Sequence, residues 1–223
     1  MNFIKRLIAL TPVWLQAELK RLYYRRQIKK GTFITSEPEF KELNKFVHED
    51  DWAIDIGANI GHYTNKLSEL VGAKGRVIAF EPVPTTFTHL SENTLCCKYK
   101  NITLINAAAS SETTSVCMSI PNFSSGMKNY YQASISSEVK DTDASVLTLA
   151  IDGLQISHKI NLIKIDAEGH EPAVLRGAQK LLERDRPILI VETVTDKIRE
   201  QLLHLGYREE QYKKSPNIVF RVS

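Results

Sequence analysis

The chain has 223 residues, 43% of them hydrophobic and 25% charged, enough for one full core and short for two. Its net charge of +3 is unevenly spread: residues 1–30 hold eight basic side chains against Glu18 alone, or +7, leaving 21 basic and 25 acidic residues, or −4, in the rest. That balance excludes a general nucleic-acid binder, which needs clustered Lys and Arg to displace counterions.

The basic arm, residues 1–35, reads as two helical pieces broken at Thr11-Pro12, the second with Leu15, Leu19 and Leu22 on one face. Such an amphipathic basic pattern suits an anionic membrane surface, a partner, or the arm's own domain. No run approaches 18 apolar residues and no signal peptide is evident, so a cytoplasmic protein is expected, at most peripheral to the membrane through residues 1–30. Cys96, Cys97 and Cys117 show no metal-ligand spacing and read as packing thiols.

Next comes a helix start, with Ser36 as cap and Glu39 at the capping-box position. The chain then alternates: strand 52–56, helix 61–71, strand 76–80, helix 84–96, strand 101–106. The rhythm breaks over 107–145, rich in Ser, Thr, Asn and Asp, where a single short strand (115–120) is expected within an acceptor-binding loop. It resumes with strand 145–149, a helical turn near 151–157, strand 161–166, helix 171–184, strand 187–192 and helix 195–205, and closes on strands 207–213 and 217–222. The fold class is therefore α/β, a mostly parallel sheet covered by helices on both faces, with a C-terminal antiparallel hairpin.

Strand 52–56 runs into IDIGANIGHYT. A dinucleotide turn would be G-x-G-x-x-G, but the positions here are Gly57, Asn59 and His62, which disfavour backbone contact with a pyrophosphate. Twenty-four residues after Gly57 comes Glu81, where an acid can accept from both ribose hydroxyls. Asp55 and Glu81 together suit a ligand with a cationic amine and a free ribose but no phosphate, as S-adenosylmethionine has.

The segments IDIGANIGHYT, RVIAFEPVP, NITLINAAAS, INLIKIDAEGHEPAVLRGA and ILIVET, spanning about residues 36–206, resemble the FkbM family of S-adenosylmethionine-dependent methyltransferases. The resemblance implies a Rossmann-like class I methyltransferase sheet of seven strands with a reversed terminal strand. It implies methyl transfer to a hydroxyl oxygen, often of a sugar or natural product. By position, Asp55, Gly57, Asn59 and Gly61 would line the methionine end, Glu81 would hold the ribose, and Asn106 and Ala107 would border the adenine.

The acceptor side is read from DAEGHE, residues 166–171, because ligands in open parallel sheets lie beyond the carboxyl ends of the strands. Asp166, His170 and Glu192 are the candidate catalytic groups, with Glu168, Tyr130 and Tyr131 as candidate acceptor contacts. An alcohol needs a base or a cation beside it. His170 at a helix start, where the dipole disfavours protonation, would be the base, and Asp166 with Glu192 could alternatively hold Mg2+. The plainer roles are Asp166 and Glu168 as helix caps, Glu192 as a partner of Lys164, and the two tyrosines as packing in a β-turn.

The leading expectation is an O-methyltransferase acting on a sugar, glycan precursor or natural product, with a small-molecule or glycan acceptor and no nucleic acid. The competing readings are a non-catalytic S-adenosylmethionine-binding scaffold and an NAD-dependent oxidoreductase.

Overall fold

The computed structural model describes residues 13–120, 134–136 and 144–222. A first helix, α1 (Val13–Lys30), leads through a 3-10 helix (Glu39–Lys45) into β1 (Trp52–Ile56), α2 (His62–Val71), β2 (Arg76–Phe80), α3 (Pro84–Thr94) and β3 (Ile102–Ile105). A second group follows: β4 (Ala108–Ala109), β5 (Thr114–Ser119), β6 (Ser134–Ser136) and β7 (Ala144–Leu149). After a 3-10 turn (Ile151–Leu154) come β8 (Ile160–Ile165), α4 (Glu171–Gly177), α5 (Gln179–Asp185), β9 (Ile188–Val191), α6 (Asp196–His204), β10 (Tyr207–Gln211) and β11 (Ile218–Val222).

The main sheet runs β10-β11-β9-β8-β1-β2-β3. Every pair from β9 to β3 is parallel, and β11 enters antiparallel between β9 and β10. Two of these strands explain the near-continuous apolar runs, because they are buried on both faces. In β1, Ala53 faces Leu67, Val71 and Leu43, whereas Ile54 and Ile56 face Ile163, Val174 and Leu175. In β8, Leu162 joins the first layer and Ile163 and Ile165 the second. Each fully buried aliphatic side chain contributes about 1.5–3 kcal/mol. The strand order reverses between β1 and β8, and such a switch point opens a crevice at the carboxyl ends of the strands.

Three local expectations are corrected. Ser36 does not cap a helix: the 3-10 helix begins at Glu39 after Pro38 with no side-chain cap, and Glu39 is fully buried. Its Oε1 instead accepts from the Tyr63 hydroxyl at 3.3 Å and from the Asn217 amide. The helix expected over 171–184 is two helices, parted at Ala178. Just before the break the helix packs closely on the small sheet's side, where a Cβ on Gly177 would overlap the Ser110 carbonyl oxygen. The segment 107–145, expected to hold one strand, carries that strand as β5 and also β4 and β6, and with β7 these form a second sheet, ordered β4-β7-β5-β6. Val116, Met118, Val146 and Ile135 put their apolar faces on Val83, just beyond β2.

α1 packs on α3, while Leu19 and Leu22 remain 38% and 55% exposed. No described helix is long and apolar enough to cross a membrane. Residues 1–12, including the break at Thr11-Pro12, lie outside the described residues, as do Tyr130 and Tyr131. The Cys97 thiol donates to Asn65 Oδ1 at 3.0 Å, and burial pushes its pKa up to about 12, the behaviour of a packing thiol.

Candidate active site

At the switch point, β1 gives way to Gly57 (φ 71°) and Asn59 (φ 51°) before Gly61 starts α2. Gly57 is needed twice over. Its φ is left-handed, and a Cβ would collide with the main-chain carbonyl of Asp166 at the end of the neighbouring strand. The Asn59 amide N–H does not face an open phosphate site: it donates to Glu81 Oε2 at 2.9 Å, and Val83 N–H donates to Glu81 Oε1 at the same distance. Burial raises the Glu81 carboxyl to about 7, against the pull of those two hydrogen bonds.

Two cavities meet over this turn, sharing Gly57, Asn59 and Asp166 as walls. One, of about 640 Å3, runs along Glu81, Pro82 and Val83, then Ala107, and out to Glu168 and His170. Met118 and Ile135 of the small sheet close its side. The other, of about 780 Å3, is polar and lined by Glu37, Asp55, His62, Tyr63 and Lys164.

Between the two lies a chain of charges. Lys164 Nζ is paired with Asp166 Oδ2 at 2.7 Å and sits 5.3 Å from the Tyr63 ring centroid. Burial works against its charge, yet Asp166 and Asp55 raise its pKa above the ordinary value. Burial also opposes ionisation of Asp166, but Lys164 and a hydrogen bond from Glu192 hold its carboxyl below the usual range. The same hydrogen bond and burial push Glu192 up to about 8, so at neutral pH Glu192 carries the proton it shares with Asp166. Asp55, fully buried, is raised by burial against the attraction of Lys164, and its Oδ2 accepts from Thr64 at 2.6 Å.

This arrangement does not fit a divalent cation. The Lys164 ammonium already occupies the Asp166 carboxylate, Glu192 is a proton donor there, and no group of three or more His, Cys, Asp or Glu among the described residues could hold a metal.

The DAEGHE segment is a closed turn in which Glu168 and Gly169 take positive φ. Glu171, fully buried, locks it by accepting from the Ala167 and Gly169 amides at 3.2 and 3.3 Å. His170 caps α4, and its Nε2 lies 2.9 Å from Ser110 Oγ. Burial lowers its pKa, helped by Arg176 and opposed by Glu171, so the imidazole is neutral at pH 7. Burial and the neighbouring Asp166 and Glu171 raise Glu168.

Residues 55–209 match the methyltransferase FkbM domain model. The chain belongs to the FkbM methyltransferase family. It is 32% identical over 138 residues to the hexuronic acid methyltransferase AglP of Haloferax volcanii, covering 60% of this chain and 53% of that protein. It thus spans about half that relative's length. Among solved structures, the FkbM methyltransferase of Methylobacillus flagellatus superposes with a TM-score of 0.56 at 18% identity, over 78% of this chain and 44% of that one. Aeropyrum pernix fibrillarin, with natively bound S-adenosyl-L-methionine, gives 0.50 at 14%, over 79% and 68%. At these identities the two structures establish a shared Rossmann-like class I methyltransferase fold.

Set on this FkbM fold, Asp55, Gly57, Asn59, Glu81, Ala107, Asp166, Glu168 and His170 all reach one of the two cavities. Gly61 stands behind them, as the N-cap of α2. Asn106 does not line either: its exposed amide donates to the Glu81 and Pro82 carbonyls and ties the end of β3 to β2. Glu192 lines neither cavity and reaches the site only through Asp166. Sequence reasoning missed Ser110, Met118, Ile135, Glu171 and Glu37. Only Glu171 carries a readable signal, as a carboxylate placed to accept the free amides of a tight turn.

Proposed function

We propose that this FkbM protein is an O-methyltransferase that uses S-adenosylmethionine and acts on a sugar hydroxyl, a uronic acid being the acceptor class favoured by the likeness to a hexuronic acid methyltransferase. The observation that carries the donor is the Glu81 carboxylate on the Asn59 amide. A pyrophosphate brought to this turn would meet a buried acid where a dinucleotide fold offers a free N–H, whereas ribose hydroxyls find an acceptor. This argues against the nicotinamide reading.

When bound, the donor supplies a methyl group already activated on sulfur, so the chain's task is placement, exclusion of water and acceptance of one proton. Asp166, kept ionised by Lys164, stands where the two cavities meet and orients the acceptor hydroxyl. His170 takes the proton: in the tautomer whose Nε2–H donates to Ser110 Oγ, Nδ1 is the basic nitrogen. Glu192 positions Asp166 through their shared proton. Together they favour an enzyme over an inert scaffold, because binding the donor alone requires none of them. No divalent cation takes part in this scheme.

The protein would work in the cytoplasm, and the exposed Leu19 and Leu22 on a helix ending in Lys29 and Lys30 favour contact of the arm with an anionic membrane carrying a lipid-linked acceptor. Cosedimentation with anionic vesicles should fall when residues 1–30 are removed.

The deciding experiment offers radiolabelled S-adenosylmethionine to glycan and lipid-linked fractions, with and without EDTA. Alkali-stable label on a sugar, unaffected by EDTA, is expected. Binding of NAD with none of S-adenosylmethionine would overturn the assignment.

A further inference from the structure

The polar cavity is walled partly by residues that precede the matched FkbM segment. Thr35, Ser36 and Glu37 line it opposite Asp55 and Asn59, although the family match begins at residue 55. They are held there by aromatic packing: Tyr24 meets Phe33 edge-on at 5.9 Å, and Phe33, 3% exposed, stacks on His62 at 4.2 Å. From the domain side, the Tyr63 hydroxyl lies beside Glu37 and Glu39. The stretch between α1 and the 3-10 helix is therefore a fixed wall of the cavity.

Three buried acceptor atoms on residues lining this cavity have no hydrogen-bond partner: Glu37 Oε2, Asp55 Oδ1 and Asn59 Oδ1. Asp55 is 0% exposed, so its free oxygen gets nothing from bulk solvent. A buried acceptor left unpaired is costly, and such atoms gathered in one cavity await donors carried by a ligand. The charge points the same way. Three carboxyl groups, of Glu37, Asp55 and Asp166, face a single ammonium, Lys164, which is already paired with Asp166. A ligand group with three N–H donors and a positive charge matches both counts, and a primary ammonium is that group.

We propose that Glu37, a residue ahead of the FkbM domain, joins Asp55 in holding the α-ammonium of the methionyl part of the methyl donor and so completes the donor site. This rests on the S-adenosylmethionine reading above.

The test uses the full chain and two ligands: S-adenosylhomocysteine, which carries the ammonium, and 5′-methylthioadenosine, which lacks the amino-acid portion. Glu37→Gln should weaken S-adenosylhomocysteine roughly ten- to a hundredfold by calorimetry, the loss of a charge-assisted hydrogen bond, and leave methylthioadenosine within about twofold. Equal loss for both ligands at an unchanged unfolding midpoint overturns the assignment, and so does no loss for either. Should Glu37→Gln unfold, Glu37→Ala, which also removes the carboxylate, goes through the same cycle under the same criteria. A wild-type chain that binds neither ligand would overturn the donor reading itself, and this assignment with it.

Discussion

Gly57 and Asp166 touch across the switch point, the α-carbon of one against the main-chain carbonyl of the other, so the end of β1 and the end of β8 are fixed with no side chain between them. Gly57→Ala must relieve that overlap and also hold a left-handed φ. We expect a loss of about 2–5 kcal/mol in urea unfolding, from backbone strain plus overpacking. S-adenosylhomocysteine binding should fall with it, because both cavities lose a wall. An alanine variant of full stability and affinity would contradict this packing.

Lys164 is the sole cation among the described residues lining the cavities, apart from the histidines, and serves Asp55 and Asp166 together. Lys164→Met should cost about 3–5 kcal/mol at pH 7, as expected when one partner of a buried ion pair is removed. The sign of its pH dependence follows from Asp166, whose folded pKa lies below the unfolded one. Its pairing stabilises above the ordinary carboxyl pKa and is lost as the pH falls through the folded value. The gap between wild type and variant should narrow below about pH 4 in unfolding curves.

Glu192 has the opposite sign. Its folded pKa of about 8 lies above the ordinary 4.5, so its contribution to stability is complete below 4.5 and lost as the pH rises through 8. Ionisation also places a second negative charge against Asp166, and methyl transfer should decline over the same interval. Glu192→Gln keeps a donor to Asp166 and cannot ionise. Its activity profile should lose the alkaline limb near 8, while a profile superposing on wild type would remove Glu192 from the site.

Ser110 is sixty residues from His170 in sequence, yet its Oγ lies 2.9 Å from the His170 Nε2. Ser110→Ala should lower kcat about five- to tenfold, leave the affinity for S-adenosylhomocysteine unchanged, and shift the acid limb of the kcat profile. An effect on stability alone, with the acid limb in place, would make the contact structural only.

The parts of the fold that could be read from sequence are those where one element decides its own pattern. The apolar runs of β1, β2, β8 and β9 mark strands buried on both faces, and the Gly57–Glu81 spacing marks the turn that meets the end of β2. Strands β5 and β7 were legible as 115–120 and 145–149, but their pairing into a sheet of their own was not, because β5 alternates Val116 and Met118 with Ser and Cys and its partners β4 and β6 are only two and three residues long. The break at Ala178 follows Gly177, which packs on the Ser110 main chain far along the sequence, and no local pattern encodes that contact. Glu39 shows the same limit: its position spells a helix cap, yet Tyr63 and Asn217 claim the carboxylate. The role of Glu192 was half legible, as an acid at a strand end, while its distance from the cavities emerges only once β9 is paired.

The strand order carries a consequence for how the protein is made. β11 is late in the chain but lies between β9 and β10, and Asn217, just ahead of it, meets Glu39 next to the Tyr63 wall of the polar cavity. During synthesis the ribosome releases β1, the glycine turn and DAEGHE long before residue 217. Until then, β9 has an open edge and Glu39 lacks the Asn217 amide. The nascent protein thus passes through a stage in which the glycine turn and DAEGHE are both present while the wall of the polar cavity beside them still lacks its last hydrogen bond.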